Sequence, residues 1–381
     1  MGALDGLKIA DFSWVGAGPR ATKDLADNGA TVIKIESRRR LDLGRLSPPF
    51  AGGVKDPDGS AFFAQTNTSK KSVSINLSDP RGVDVARRLV AWADVVVENF
   101  GPGYMERIGL GWDALQRIRP GVILASVSVA GRSGPMSGFR GYGNSAAAYS
   151  GHAWLGGWPG GDPHMPPLAY GDVVAPMFLT VAILAALEHR ARTGEGQHLD
   201  VSQIEPMVHV IADLYAAPGA PAKPGNQDND FLLHGVFPAR GEDQWLAIAI
   251  ATEHEARLLA TALGLPGGPP EAARVAAATA THERDDLVRR LVAAGLAAAP
   301  VFDGRDVLES EDLARAGHFV TLDHPVLGPC RMPAPPYALE RTPAQVQRAP
   351  RLGEHDDEVF IDLLGLDRDE IARLRQEGAL A

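Results

Sequence analysis

Two apolar runs, Leu7-Lys-Ile-Ala-Asp-Phe12 and Ala30-Thr-Val-Ile-Lys-Ile-Glu36, bracket a loop from Ser13 to Pro19 and a stretch of helical period from Arg20 to Asp27. The second run is rich in β-branched residues and opens just after Gly29, so it reads as a strand. Strand, helix and strand within about 30 residues make a right-handed βαβ unit, which requires a parallel sheet. The pattern recurs downstream. Ser72 to Leu77 reads as a strand, Pro80 to Trp92 as a helix, Asp94 to Glu98 as a strand, Trp112 to Arg117 as a short helix and Val122 to Ser128 as another strand. The first half of the chain is therefore expected to be α/β, doubly wound and Rossmann-like.

At 381 residues the chain is longer than one core usually supports, and its 45% apolar content is ample for one large and one smaller domain. The segment 216–229 carries Pro218, Pro221 and Pro224 with Gly219 and Gly225 and reads as a linker; Pro325 to Pro336 reads as a return linker. Between them, Gly235 to Ile250 has hairpin character around Gly241-Glu-Asp, and helices are expected at Glu253–Leu263, Glu271–Ala278 and Glu283–Ala294. A last helical pattern covers Asp367 to Glu377. The smaller domain is thus expected to be α+β.

A net charge of −10 argues against sequence-independent nucleic-acid binding. The single cysteine, Cys330, excludes an internal disulfide and fits a reducing compartment, and the opening residues lack an apolar signal region, so a cytoplasmic protein is expected. The most apolar stretch is closed off by Asp172 and Glu188, short of the roughly 18 uncharged residues of a membrane span, so no membrane is expected. Scattered histidines give no metal-ligand spacing, so no metal is expected, and no Gly-x-Ser-x-Gly elbow is present.

From Gly131 to Gly171 the chain turns to Gly, Pro, Ser and aromatics without period, about 40 residues of the kind that wall active sites. It ends at Tyr170-Gly-Asp-Val-Val-Ala-Pro176, where a lone carboxylate precedes an apolar helix expected from Pro176 to Ala191. Asp172 at such a helix start is either an N-cap or a nucleophile. The loop Trp14-Val-Gly-Ala-Gly-Pro19 lacks the third glycine of a dinucleotide fingerprint, though a phosphate near the following helix start is compatible with free N–H groups there. Arg38-Arg-Arg40 and Lys70-Lys71 are either a polyphosphate site or a solvated charge run.

Eight blocks in order carry a resemblance: Leu4-Asp-Gly-Leu-Lys8, Ala17-Gly-Pro19, Leu25 to Glu36, Asn67-Thr-Ser-Lys-Lys-Ser72, Val97-Glu-Asn-Phe-Gly-Pro-Gly103, Gly171-Asp172, Arg192-Thr-Gly-Glu-Gly-Gln197 and Gly353-Glu-His-Asp-Asp-Glu358. Together they resemble the family III coenzyme A transferases. The resemblance implies a large CoA-binding domain built from both chain ends (1–215 and 337–381), a small domain (230–324) and an interlocked homodimer. It implies coenzyme A, brought as an acyl-CoA substrate, with a carboxylic acid as second partner. Asp172 falls at the family's catalytic carboxylate, which would pass through a mixed anhydride and an aspartyl-CoA thioester. Matching CoA contacts are Val15, Ala17, Arg38, Lys70, Lys71, Asn99, Phe100 and Arg107.

Racemases and isomerases of the family form the alternative. They pair this Asp with a His in a Gly-His-Asp segment, and Gly141-Tyr142-Gly143-Asn144 matches that segment here. A phenol with a reference pKa near 10 is a poor base for an α-proton. Tyr142 therefore favours acyl-CoA transfer. Gly16 stands where formyl-CoA transferase carries a Gln, which points away from formate and oxalate, and the loop Trp14 to Pro19 with the segment Asp172-Val-Val-Ala-Pro176 resembles the branch that moves CoA from succinyl-CoA to larger or dicarboxylic acids.

Overall fold

The structure is a computed structural model that describes residues 2–216, 223, 225–226 and 228–381. The described chain forms two compact units. The larger comprises residues 1–153, 165–218 and 317–381, and the smaller 154–164 and 219–316.

The larger unit is built on β1 (Lys8–Asp11), α1 (Ala17–Asp27), β2 (Thr31–Glu36), β3 (Lys71–Ser74), α2 (Pro80–Trp92), β4 (Val95–Glu98), α3 (Trp112–Ile118), β5 (Ile123–Ser128), α4 (Gly143–Tyr149), α5 (Gly171–Thr193), β6 (His198–Ser202) and α6 (Ile204–His209). The six strands pair in the order β3-β2-β1-β4-β5-β6, every pair parallel. Both faces of this sheet are covered, which explains strands that are apolar without alternation. On one face Ala10, Ile33, Val96 and Leu124 meet α2, α3 and the C-terminal residues Phe360, Ile371 and Leu374. On the other, Ile9, Val32, Val95, Val97 and Ile123 meet Leu25 of α1 and Leu179 and Ile183 of α5. Strand order reverses between β1 and β4, and an open α/β sheet binds ligands at the carboxyl ends of strands beside such a switch point.

The smaller unit holds a three-stranded antiparallel sheet of β7 (Leu233–Pro238), β8 (Trp245–Ile250) and β9 (Ala297–Val301), with α7 (Glu253–Leu263), α8 (Ala272–Thr279) and α9 (Arg284–Ala293). The hairpin turns where it was expected, with Gly241 at φ +121 and Asp243 at φ +51. Of the linker 216–229, residues 217–222, 224 and 227 lie outside the described residues.

The expected return linker at 325–336 is corrected. β10 (Phe319–His324) pairs antiparallel with β11 (Gly328–Pro333), so the Pro-rich segment is a hairpin of the larger unit. Pro329 and Pro333 fit because both strands of a two-stranded sheet are edges, where a missing N–H can face away from the ladder. The helix α10 (Arg368–Gln376) closes the chain.

Buried charges fix the loops at the carboxyl edge. Lys70 Nζ bonds Asp11 Oδ2, Pro19 O and Asn67 Oδ1, each at 2.9 Å. Lys34 Nζ meets Asp42 Oδ2 at 2.9 Å, and Arg45 clamps Glu36 through Nε at 2.7 Å and Nη2 at 2.8 Å. Asp42 in turn accepts the backbone N–H of Val15 at 2.9 Å. Val15 has φ +63, a strained region for a β-branched residue. The neighbouring Trp14 is held by Asn99, which accepts its N–H at 2.7 Å and donates to its carbonyl at 2.6 Å. The loop's strain is thus over-determined by buried partners.

Candidate active site

A cavity of about 680 Å³ opens along that carboxyl edge, lined by the loops after β1, β2, β3, β4 and β5. Asp172 and Gln203 stand at its wall, and Arg40, Arg107 and Arg140 with Trp14, Phe100 and Tyr104 line it further out. The Phe100 ring lies 4.4 Å from that of Tyr104 and 5.7 Å from that of Trp14. Arg40 sits 5.4 Å over Trp14, and Arg107 5.8 Å over Tyr104. Cations stacked on rings around a concave surface suit a ligand with phosphates and a flat heterocycle.

Asp172 does not cap its helix. α5 begins at Gly171, a turn earlier than expected, so Asp172 lies in the first turn and Pro176 inside the helix. A proline there removes the N–H that would bond the carbonyl of Asp172. The carboxylate is taken up by other elements. Oδ1 accepts from Gln203 Nε2 at 2.6 Å, and Oδ2 accepts from the Gly143 N–H at 3.3 Å. Gly143 is the first residue of α4, so its N–H is one of the free donors of a helix start. Among the described residues Asp172 makes no ion pair. Burial pushes its carboxyl above the usual carboxylate range, with the donors Gly143 and Gln203 and the charge of Arg20 pulling it partly back.

Glycine makes this convergence possible. A β-carbon on Gly16 would lie 3.0 Å from Asp172 Cβ and Cγ, and one on Gly143 would lie 2.5 Å from the Asp172 nitrogen. The first loop, α4 and α5 therefore meet at a distance only bare backbone permits.

Of the residues singled out from sequence, Val15, Asn99, Phe100, Arg107, Tyr142 and Asp172 line the cavity. The others are not among the residues that line it. Ala17 is buried in α1 against the sheet. Arg38 bonds Asp356 at 3.2 Å and the Leu352 carbonyl at 3.4 Å, and Lys71 pairs with Glu358. Lys70 is 3% exposed, with its ammonium taken by Asp11, so a structural role replaces the phosphate reading. His152 bonds Ser150 Oγ at 3.1 Å and packs on Tyr170, off the cavity. Sequence reasoning missed Gln203, Tyr104 and Arg140 and did not single Arg40 out from its neighbours. Arg40 and Arg140 were legible as cations in loops after strands; Gln203 carried no signal.

Residues 4–356 match the sequence profile of CoA-transferase family III. The chain belongs to that family. It is 32% identical over 394 residues to the succinyl-CoA–L-malate CoA-transferase alpha subunit of Chloroflexus aurantiacus, covering 98% of this chain and 91% of that one. It is 29% identical to the formyl-CoA:oxalate CoA-transferase of Rhodopseudomonas palustris over 421 residues, covering 100% of this chain and 97% of the relative. The crystal structure of a CAIB/BAIF family protein from Brucella suis superposes with a TM-score of 0.87 at 28% identity, covering 95% of this chain and 99% of that one. This family III protein is accordingly a CoA-transferase, an enzyme acting on CoA thioesters.

Proposed function

We propose that the enzyme is an acyl-CoA:carboxylate CoA-transferase in which Asp172 carries first the acyl group and then CoA. One observation supports this most directly: a carboxylate at the cavity wall, bonded by neutral donors, in no ion pair among the described residues and not spent on capping. An anion so placed attacks a thioester carbonyl, and the departing thiolate then attacks the resulting anhydride at the Asp172 carbon. Transfer is favoured over racemisation because Tyr142 lines the cavity where a base is needed and His152 is engaged elsewhere. For the donor we propose succinyl-CoA, on the likeness to the succinyl-CoA–L-malate CoA-transferase.

CoA is read as lying against Val15, Asn99, Phe100, Arg107 and Tyr142, with Arg40 and Arg140 as added phosphate partners. Ala17, Arg38 and Lys71 remain as rim contacts or backbone donors in this reading. The homodimer, interlocked and cytoplasmic, is part of it too. Helix α5 is long and apolar enough to cross a membrane, yet one side of it is packed on the sheet while Met177, Val181 and Leu184 are exposed. A second copy covering that face accounts for it.

The test is a screen of acids against succinyl-CoA, run beside 2-methylacyl-CoA in heavy water. CoA exchange without α-deuteration is the expected result. Deuteration without CoA exchange would favour the racemase alternative.

A further inference from the structure

The two oxygens of Asp172 are held unequally. Oδ1 takes a short bond of 2.6 Å from Gln203 Nε2, whereas Oδ2 has only the 3.3 Å contact to Gly143 and lies beside Gly16, where a β-carbon would stand 3.3 Å from it. Gln203 is placed by its backbone, whose N–H donates to the carbonyls of Ser128 at 2.8 Å and Val129 at 3.1 Å. Gln203 is 5% exposed, and its Oε1 is buried without a hydrogen-bond partner among the described residues. A buried acceptor left unpaired is unfavourable, so a glutamine serving only to support the fold is a poor choice here. The negative charge of Asp172 alone orients the amide, donor toward the carboxylate.

We infer that Gln203 divides the labour of the Asp172 carboxylate: Oδ2 is the nucleophile, and Oδ1 is the permanent carbonyl oxygen whose oxyanion Gln203 Nε2–H stabilises. This rests on the covalent reading above. Oδ2 attacks the thioester carbon, the C–S bond breaks, and CoA leaves as thiolate, giving a mixed anhydride. The thiolate adds to Asp172 Cγ and places a negative charge on Oδ1, where the amide donor waits. Collapse breaks the Cγ–Oδ2 bond and releases the donor acid with that oxygen. The acceptor carboxylate then adds to Cγ, again charging Oδ1, and expels the thiolate. Attack of the thiolate on the acceptor's acyl carbon leaves one acceptor oxygen on Asp172. Each turnover thus renews Oδ2 and spares Oδ1.

The assignment is tested by turning the enzyme over many times with succinyl-CoA and succinate labelled with oxygen-18, then weighing the Asp172 peptide. Uptake that stops at one heavy oxygen supports it, and two heavy oxygens in the wild type overturn it. No heavy oxygen while CoA still exchanges overturns the covalent reading, and this inference with it. In Gln203→Leu the carboxylate is free to rotate and both oxygens label. That variant is also expected to lose about 10²–10³-fold in kcat, the effect of one oxyanion donor, with KM for succinyl-CoA and melting temperature held or the latter raised. An unchanged kcat, or a loss matched by a lower melting temperature, overturns the assignment. Gln203→Glu supplies a donor only when protonated, so its rate falls as pH rises, opposite to the wild type; a parallel profile counts against the donor role.

Discussion

Along one edge of the sheet the fully buried carboxylates Asp11 and Glu36 and the partly buried Asp172 are treated in opposite ways. Asp11 and Glu36 are wholly buried, which pushes their carboxyls up, but Lys70 and Lys34 around the first and Arg45 beside the second outweigh burial and hold both below the usual range. Asp172 is partly buried and receives two neutral donors and the charge of Arg20, which do not outweigh burial, so its carboxyl stays above the usual range. Charge that is fully paired is scaffolding, because any ligand would have to break the pair. Charge left on neutral donors remains available to a reacting carbon. Asp11 and Glu36 shape the loops; Asp172 faces the space they enclose.

The contrast breaks first at Asp172. Asp172→Asn is expected to lower the exchange rate by about 10⁴-fold or more, since the nucleophile is gone. The same variant should be more stable than the wild type near neutral pH. The sign follows from linkage: a carboxyl raised in the folded state favours folding at pH below its unfolded value, and loses that contribution as pH rises through the folded value. The gain in melting temperature should therefore shrink as pH is lowered toward the carboxylate range, and a gain that grows on acidification would argue against a raised Asp172.

The scaffold side gives the next effect. Lys70→Met strands a buried Asp11 carboxylate and should lower stability by about 3–5 kcal/mol in denaturant titration, with much of it restored by adding Asp11→Asn. A Lys70 that instead raised KM for the CoA thioester without loss of stability would return it to the ligand site. Smaller still is Gly16→Ala. A methyl 3.0 Å from Asp172 Cβ and Cγ displaces the carboxylate, and a misplacement of that order is expected to slow exchange by up to about 10²-fold. The smallest effect lies in the wild-type pH profile. Activity should fall on acidification starting above the ordinary carboxylate range, because Asp172 must be ionised to attack.

The sheet was legible because its strands, buried on both faces, leave uninterrupted β-branched runs. At Asp172 the residues alone left cap and nucleophile open, since Pro176 imitates the first position of a helix that in fact starts at Gly171, and only the family resemblance chose the nucleophile. The two adjacent lysines show the limit of charge reading. Lys70 and Lys71 were one cluster in sequence, yet consecutive residues entering a strand point to opposite sides, one into Asp11 and the other to Glu358. Gln203 left no trace, because its contact with Asp172 joins the end of β6 to the start of α5 across space rather than spacing.

The most direct measurement is a rapid quench of the enzyme with succinyl-CoA, followed by hydroxylamine and mass analysis of the Asp172 peptide. Asp172 is expected to be converted to its hydroxamate within the time of one turnover. An unmodified Asp172 while CoA passes to an acceptor acid would contradict it.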